Sequence, residues 1–177
     1  ITQLFFFLGS DSMVKHDCII VGAGKMGLLH GALVQKSGRG RVRAIIDTSV
    51  KSRFIAKGMG IKVPIKSGLE QALKSGEGGI CFVCTQPGSH FSIASKVIDN
   101  GWSIFVEKPL TMDPELSTSL ARSAKQSGLS GVVGYQKRFS QPFLELRDYV
   151  SKKTNPVRSI KVKMLSPQFS NSVEMGE

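Results

Sequence analysis

The chain has 177 residues, 41% of them hydrophobic and 21% charged, with a formal net charge of +11. This is the composition of a globular protein with room for one ordinary domain and part of another, and no apolar run approaches the roughly 20 residues that a membrane helix needs. Its 24 basic residues are spread along the chain and aromatics make up only 7%, which argues against a nucleic-acid surface and leaves an anionic small molecule as the ligand such a field would favour.

The opening "ITQLFFFLGSDS" has a short apolar patch, no basic n-region and no initial Met, so residues 1–12 read as a leader or expression remnant and Met13 as the natural start. From there elements alternate. "HDCIIVGAG" is a near-continuous apolar run ending in glycines, as a central parallel strand requires. "KMGLLHGALVQKSG" is spaced as a helix, "RVRAIID" is a second strand, "SVKSRFIAKGMG" a second helix and "IKVP" a short third strand. "GLEQALKSG" gives a short helix and "GGICFVCT" a fourth strand, followed by the helix "SHFSIASKVIDNG" with its Asn100-Gly101 stop. "WSIFVEK" is the fifth strand; "DPELSTSLARSAKQSG" starts with a capping Asp113 and Pro114 at the first helical position; "LSGVVGY" is the sixth strand.

This alternation predicts an α/β fold, a doubly wound parallel sheet over residues 13–134 of the dinucleotide-binding (Rossmann) type. Residues 135–177 change character. "SQPFLELRDYVSKK" is an amphipathic helix, and "VRSIKVKML" sets Ile160, Val162 and Met164 against Lys161 and Lys163 with a period of two. A linker helix and the first strand of an incomplete α+β domain with an antiparallel sheet are expected there.

Cys81 and Cys84 form C-x-x-C, yet residues three apart on a strand face opposite ways and cannot grip one ion. The reading is no metal, with Cys18, Cys81 and Cys84 as buried thiols suited to a reducing cytoplasm.

Gly22-Ala23-Gly24-Lys25-Met26-Gly27 fits G-x-G-x-x-G at the first strand-to-helix junction. Gly22 allows the tight turn, Gly24 lets the backbone approach a pyrophosphate at a helix N-terminus, and Gly27 allows helix and strand to pack closely. Asp47, 20 residues past Gly27 at the end of the next strand, is placed to accept hydrogen bonds from ribose hydroxyls. That favours NAD, although Lys51 and Arg53 keep NADP open.

Three segments, this loop with His30 after it, "CTQPGSHFSIASKVIDNGWSIFVEKPL" and "GYQKRFSQPF", resemble the glucose–fructose oxidoreductase/inositol dehydrogenase (Gfo/Idh/MocA) family. The resemblance implies that Lys108, of Glu107-Lys108-Pro109, lies beside the nicotinamide and helps bind or activate a substrate carbinol or carbonyl. Placement at the end of a parallel strand agrees, since such ends face the ligand crevice. Glu107 is expected to orient Lys108 or bond the cofactor ribose, and Thr85 and Gln86 to contact the cofactor. The family usually has Pro where Gln86 stands. His90 is counted among the cofactor-binding residues, capping or packing its helix rather than doing chemistry, and His30 reads as a satisfied core histidine. "GYQKRF" has Gln136-Lys137 in place of an Asn-Arg pair, and Arg138 is the expected contact at the domain junction.

The expected activity is an NAD(P)-dependent hydride transfer to or from a sugar, polyol or related carbonyl compound, by a protein that is a homo-oligomer at full length. One alternative is an NAD-dependent glycosidase of the same family. Another is a non-catalytic dinucleotide-binding protein. The chain as given is expected to bind dinucleotide without turnover, because the family's second domain supplies an Asp and a His and this sequence has no histidine after His90.

Overall fold

The computed structural model of the chain describes residues 15–74, 76, 78–152, 157, 159 and 161. Six parallel strands, β1 (His16–Val21), β2 (Gly40–Ile46), β3 (Ile65–Lys66), β4 (Ile80–Val83), β5 (Ser103–Val106) and β6 (Gly131–Val133), form one sheet in the order β3-β2-β1-β4-β5-β6. Five helices connect them: α1 (Lys25–Lys36), α2 (Val50–Gly58), α3 (Leu69–Lys74), α4 (His90–Asp99) and α5 (Pro114–Gln126).

The apolar runs of the sequence explain the two layers. Alternate residues of a strand point to opposite faces. Ile19, Val21, Cys81, Val83, Ile104 and Val106 therefore meet residues of α3, α4 and α5 in one core. Cys18, Ile20, Ile80, Phe82 and Phe105 meet α1 and α2 in the other. Helices on both faces make the sheet doubly wound, and the chain changes direction of travel between β1 and β4. Parallel sheets open their ligand crevice at that switch point, above the carboxyl ends of the strands.

Local signals mark several element ends. Asp113 caps α5, its Oδ1 accepting from the Glu115 amide at 2.8 Å, and Pro114 takes the first turn where no N–H is needed. The third strand is a correction: it lies at Ile65–Lys66, not at 61–64. Pro64 has no N–H to give a ladder, so it contributes only its carbonyl, which accepts from Ile45 N at 2.9 Å, and strand pairing starts one residue later.

The chain divides into two compact units at Tyr135/Gln136. The second unit contains a 3-10 turn, Gln136–Phe139, and helix α6 (Gln141–Ser151). The expected alternating strand at 157–165 lies outside the described residues apart from Val157, Ser159 and Lys161, and the leader at 1–12 lies outside them altogether. Among the described residues no helix is long and apolar enough to cross a membrane.

Candidate functional site

The three glycines of the loop after β1 do different things. Gly22 sits at φ +103, and a Cβ there would come within 2.6 Å of the Cys84 carbonyl oxygen. Its amide donates to Ile46 O at 2.7 Å, which ties the loop to the end of β2. A Cβ on Gly27 would collide with the Gly22 carbonyl oxygen, so this glycine lets α1 return close over the loop. Gly24 is different: a Cβ there would meet nothing within 4 Å. It is the N-cap of α1 and brings no side chain to cap it. The first helical bond, from Leu28 N to Gly24 O, leaves the amides of Lys25, Met26 and Gly27 ahead of it without helical acceptors. Open space over N-terminal amides suits a phosphate.

Asp47 locks this loop as well as facing the opening. Its Oδ2 accepts from the Ala23 amide at 2.7 Å and its Oδ1 from the Ser49 amide at 2.8 Å. Arg53, a candidate for a 2′-phosphate, donates through Nη1 to the carbonyls of Asp47 and Thr48 at 2.8 and 2.9 Å. Its guanidinium is thereby drawn into the turn.

A cleft of about 1140 Å³ opens over these groups. Gly22, Gly24, Lys25, Met26 and Asp47 form one wall, and Thr85 and Gln86, after β4, form another. Thr85 Oγ1 accepts from Ser89 Oγ at 2.8 Å, which stiffens the loop that carries Gln86. The third side, from Ser67, Gly68 and Leu69 to Ser92, Ile93 and Lys96, was not legible from motifs. Its only sequence signal is position: these residues begin α3 and line α4, after strands whose ends face the crevice. Lys96 and Glu70 pair there at 3.3 Å.

Gly27, His90 and Glu107 are buried and do not line this cleft, and exposed Lys108 also stands outside its wall. Glu107 leaves β5 with its amide donating to Val83 O at 2.9 Å, and its side chain turns inward. Oε1 accepts from His30 Nε2 of α1 at 2.6 Å, and Oε2 accepts from the Lys108 amide at 3.3 Å. Buried and bonded to the Lys108 amide, Glu107 is held beside Lys108. His30 is in the core, but it is not the satisfied histidine expected: Nδ1 is buried without a partner. Its ring packs against Phe105 and Phe82, with centroids 4.7 and 5.9 Å away.

His90 opens α4 and is fully buried. It does more than pack its helix. Nδ1 faces Pro109 O at 2.8 Å and Nε2 faces Thr85 O at 3.0 Å. A carbonyl oxygen only accepts, so whichever ring nitrogen carries the proton donates to the oxygen it faces. Arg138 lies exposed on the 3-10 turn of the second unit. Cys18 and Cys84 have thiols pushed up to about 12, mainly by burial, and burial pushes Cys81 up as well.

A sequence profile described as the oxidoreductase family GFO/IDH/MocA, NAD-binding Rossmann fold, matches residues 16–135. The chain belongs to this family. The family's glycine loop, Asp47 and open helix N-terminus are the features that fit NAD here. Among its curated relatives, scyllo-inositol 2-dehydrogenase (NAD(+)) of Bacillus subtilis is 27% identical over 132 residues, 73% of this chain and 38% of that protein. The rhizopine catabolism protein MocA of Rhizobium meliloti is 28% identical over 136 residues, 77% of this chain and 42% of that protein. The crystal structure of GenD2 from gentamicin A biosynthesis, in complex with NAD, superposes with a TM-score of 0.72 at 23% identity, over 81% of this chain and 41% of that one. The chain spans about two fifths of the length of the relatives it matches.

Proposed function

We propose that the chain is the dinucleotide-binding part of an NAD-dependent oxidoreductase acting on a sugar, polyol or related small carbonyl compound. The observation that carries this is the glycine loop: Asp47 clamps it, Gly24 faces open space, and the first amides of α1 lead into the cleft. Dehydrogenases of inositol among the relatives support the substrate class.

NAD supplies the hydride acceptor when bound. The α1 amides of Lys25, Met26 and Gly27 would hold the pyrophosphate, and Asp47 would receive the ribose hydroxyls on lone pairs its two backbone bonds leave free. The engagement of Arg53 with carbonyls of its own turn favours NAD over NADP. Lys108 holds or moves the proton at the substrate oxygen, the task of a positioned acid–base group. Thr85 and Gln86 shape the floor between them. Arg138 is assigned to the cofactor or substrate side on the family resemblance, and the beginning of an α+β domain in residues 135–177 on the alternation of Ile160, Val162 and Met164 with Lys161 and Lys163. The free thiols suit a reducing compartment.

Titration of the chain with NADH and NADPH tests this reading. Saturable NADH binding tighter than NADPH binding is expected, and NADPH binding as tight or tighter would overturn the NAD preference. In an active protein carrying this sequence, Lys108→Ala is expected to lower turnover by about 10²–10⁴ with NADH affinity within a few-fold. Near-normal turnover would return Lys108 to a structural role. Net accumulation of NADH with substrate separates dehydrogenation from glycosidase chemistry.

A further inference from the structure

The described residues that flank Lys108 are each held by a buried histidine from a different helix. Glu107, before it, has its Oε1 on His30 Nε2 at 2.6 Å, and its Oε2 reaches the Lys108 amide at 3.3 Å. Pro109, after it, has its carbonyl on His90 Nδ1 at 2.8 Å. His30 is 3% exposed and His90 0%, so neither bond competes with bulk water. Lys108 itself is exposed. A flexible exposed lysine is a poor acid–base group unless its backbone is held, because its four-carbon stem adds freedom that only a fixed Cα limits.

We infer that His30 and His90 are positioning residues for Lys108: together they clamp the Glu107–Pro109 backbone and aim the lysine at the cofactor. The inference rests on the reading of Lys108 given above. The two bonds also reach further than the loop. His30 rides on α1, the helix whose N-terminus faces the cleft, and its ring is wedged against Phe82 and Phe105. His90 sets its other nitrogen 3.0 Å from Thr85 O, so one ring stands between the loop after β4 and the loop after β5. Gly134 makes room for the arrangement: a Cβ there would stand 3.2 Å from Glu107 Oε2 and 3.1 Å from the Phe105 ring. A purely structural histidine would need none of these links to a loop that ends in an exposed lysine.

The test follows Lys108 directly, in the chain as given. Limited acetylation with acetic anhydride, read by peptide mass spectrometry, yields the Lys108 rate relative to exposed Lys36, with and without saturating NADH. In the native chain NADH is expected to protect Lys108 at least tenfold. In His30→Leu and His90→Leu, NADH affinity should stay within about threefold, because the glycine loop is intact. The relative rate without NADH should change at least threefold, and protection should fall below threefold. His30→Gln keeps an N–H that can reach Glu107, and it is expected to restore native protection.

A Leu variant that melts cooperatively, binds NADH and labels at Lys108 as the native chain does, in both conditions, overturns the clamp. So does a Gln variant no better than Leu. If a Leu variant fails to fold, Glu107→Leu is read instead: it offers no hydrogen-bond partner to His30 or to the Lys108 N–H, so native labelling there overturns the proposal equally. If NADH binds the native chain without protecting Lys108, the functional reading of Lys108 falls. The cofactor-free rates of the variants then still decide whether the histidines hold the loop.

Discussion

Two loops at the carboxyl edge of the same sheet are built on opposite principles. The loop after β1 works by what it lacks. Gly22 and Gly27 have no Cβ because the backbone leaves no room for one, and Gly24 has none where the cleft is open. The loop after β5 works by what it buries. Glu107 at 7% exposure, with His30 and His90, places three ionisable groups in or beside an apolar core to hold one short turn. Backbone amides suit a phosphate, whose charge is met by many weak dipoles, whereas aiming one ammonium group needs a defined frame. The first loop should therefore fail by steric intrusion, and the second by loss of specific bonds.

Gly27→Ala should show the largest effect. Its methyl would fall on the Gly22 carbonyl oxygen, backbone on both sides, so α1 must move. A loss on the order of 3 kcal/mol in urea unfolding, with NADH binding abolished, is expected. Stability within 0.5 kcal/mol (about the noise of a surface change) would mean the loop has slack that the geometry does not show. Gly24→Val separates binding from folding. Its side chain enters open cleft, so the melting curve should barely move while NADH affinity falls by about tenfold or more, near 1.4 kcal/mol. Equal affinity would take the loop out of the site.

Gly134→Ala probes the second loop. Contacts of 3.1 and 3.2 Å to Phe105 and Glu107 require a shift of a few tenths of an ångström, for a cost of about 1 kcal/mol. NADH affinity should be unchanged and the reactivity of Lys108 altered, the reverse of Gly24→Val. A variant that disturbs both readouts alike would erase the contrast between the loops.

A further effect is alkaline and leaves both loops unchanged at neutral pH. Burial raises the Cys18 and Cys84 thiols from 9.0 to about 12, and Cys81 shifts the same way. A group whose folded value is raised stabilises the fold below its unfolded value and loses that contribution as pH rises. Unfolding free energy should therefore decline as pH climbs from 9.0 toward 12, by at most about 1.4 kcal/mol per pH unit for each thiol. Replacing Cys84 with Ser should flatten part of that slope. An unchanged slope would assign the decline to other groups.

Much of this protein is legible locally. Strands buried on both faces read as apolar runs such as "CIIV" and "CFV", and helices declare themselves through Asp113-Pro114 and Asn100-Gly101. Those patterns, with the glycine spacing and Asp47, determined the doubly wound sheet and one wall of the cleft, because side-chain periodicity and backbone freedom are properties of neighbouring residues. What the tertiary structure alone decided is which distant groups meet. His30 and Glu107 are separated by 77 residues and touch because β4 and β5 lie on the same side of β1, a consequence of strand order that no window of sequence contains. His90 reaches Pro109 because β4 and β5 are neighbours, whereas its contact with Thr85 is local, and the far wall of the cleft comes from helices whose sequences hold no motif. A periodic pattern records which face a residue turns to the core; only the closing of parallel strands side by side decides what waits for it there.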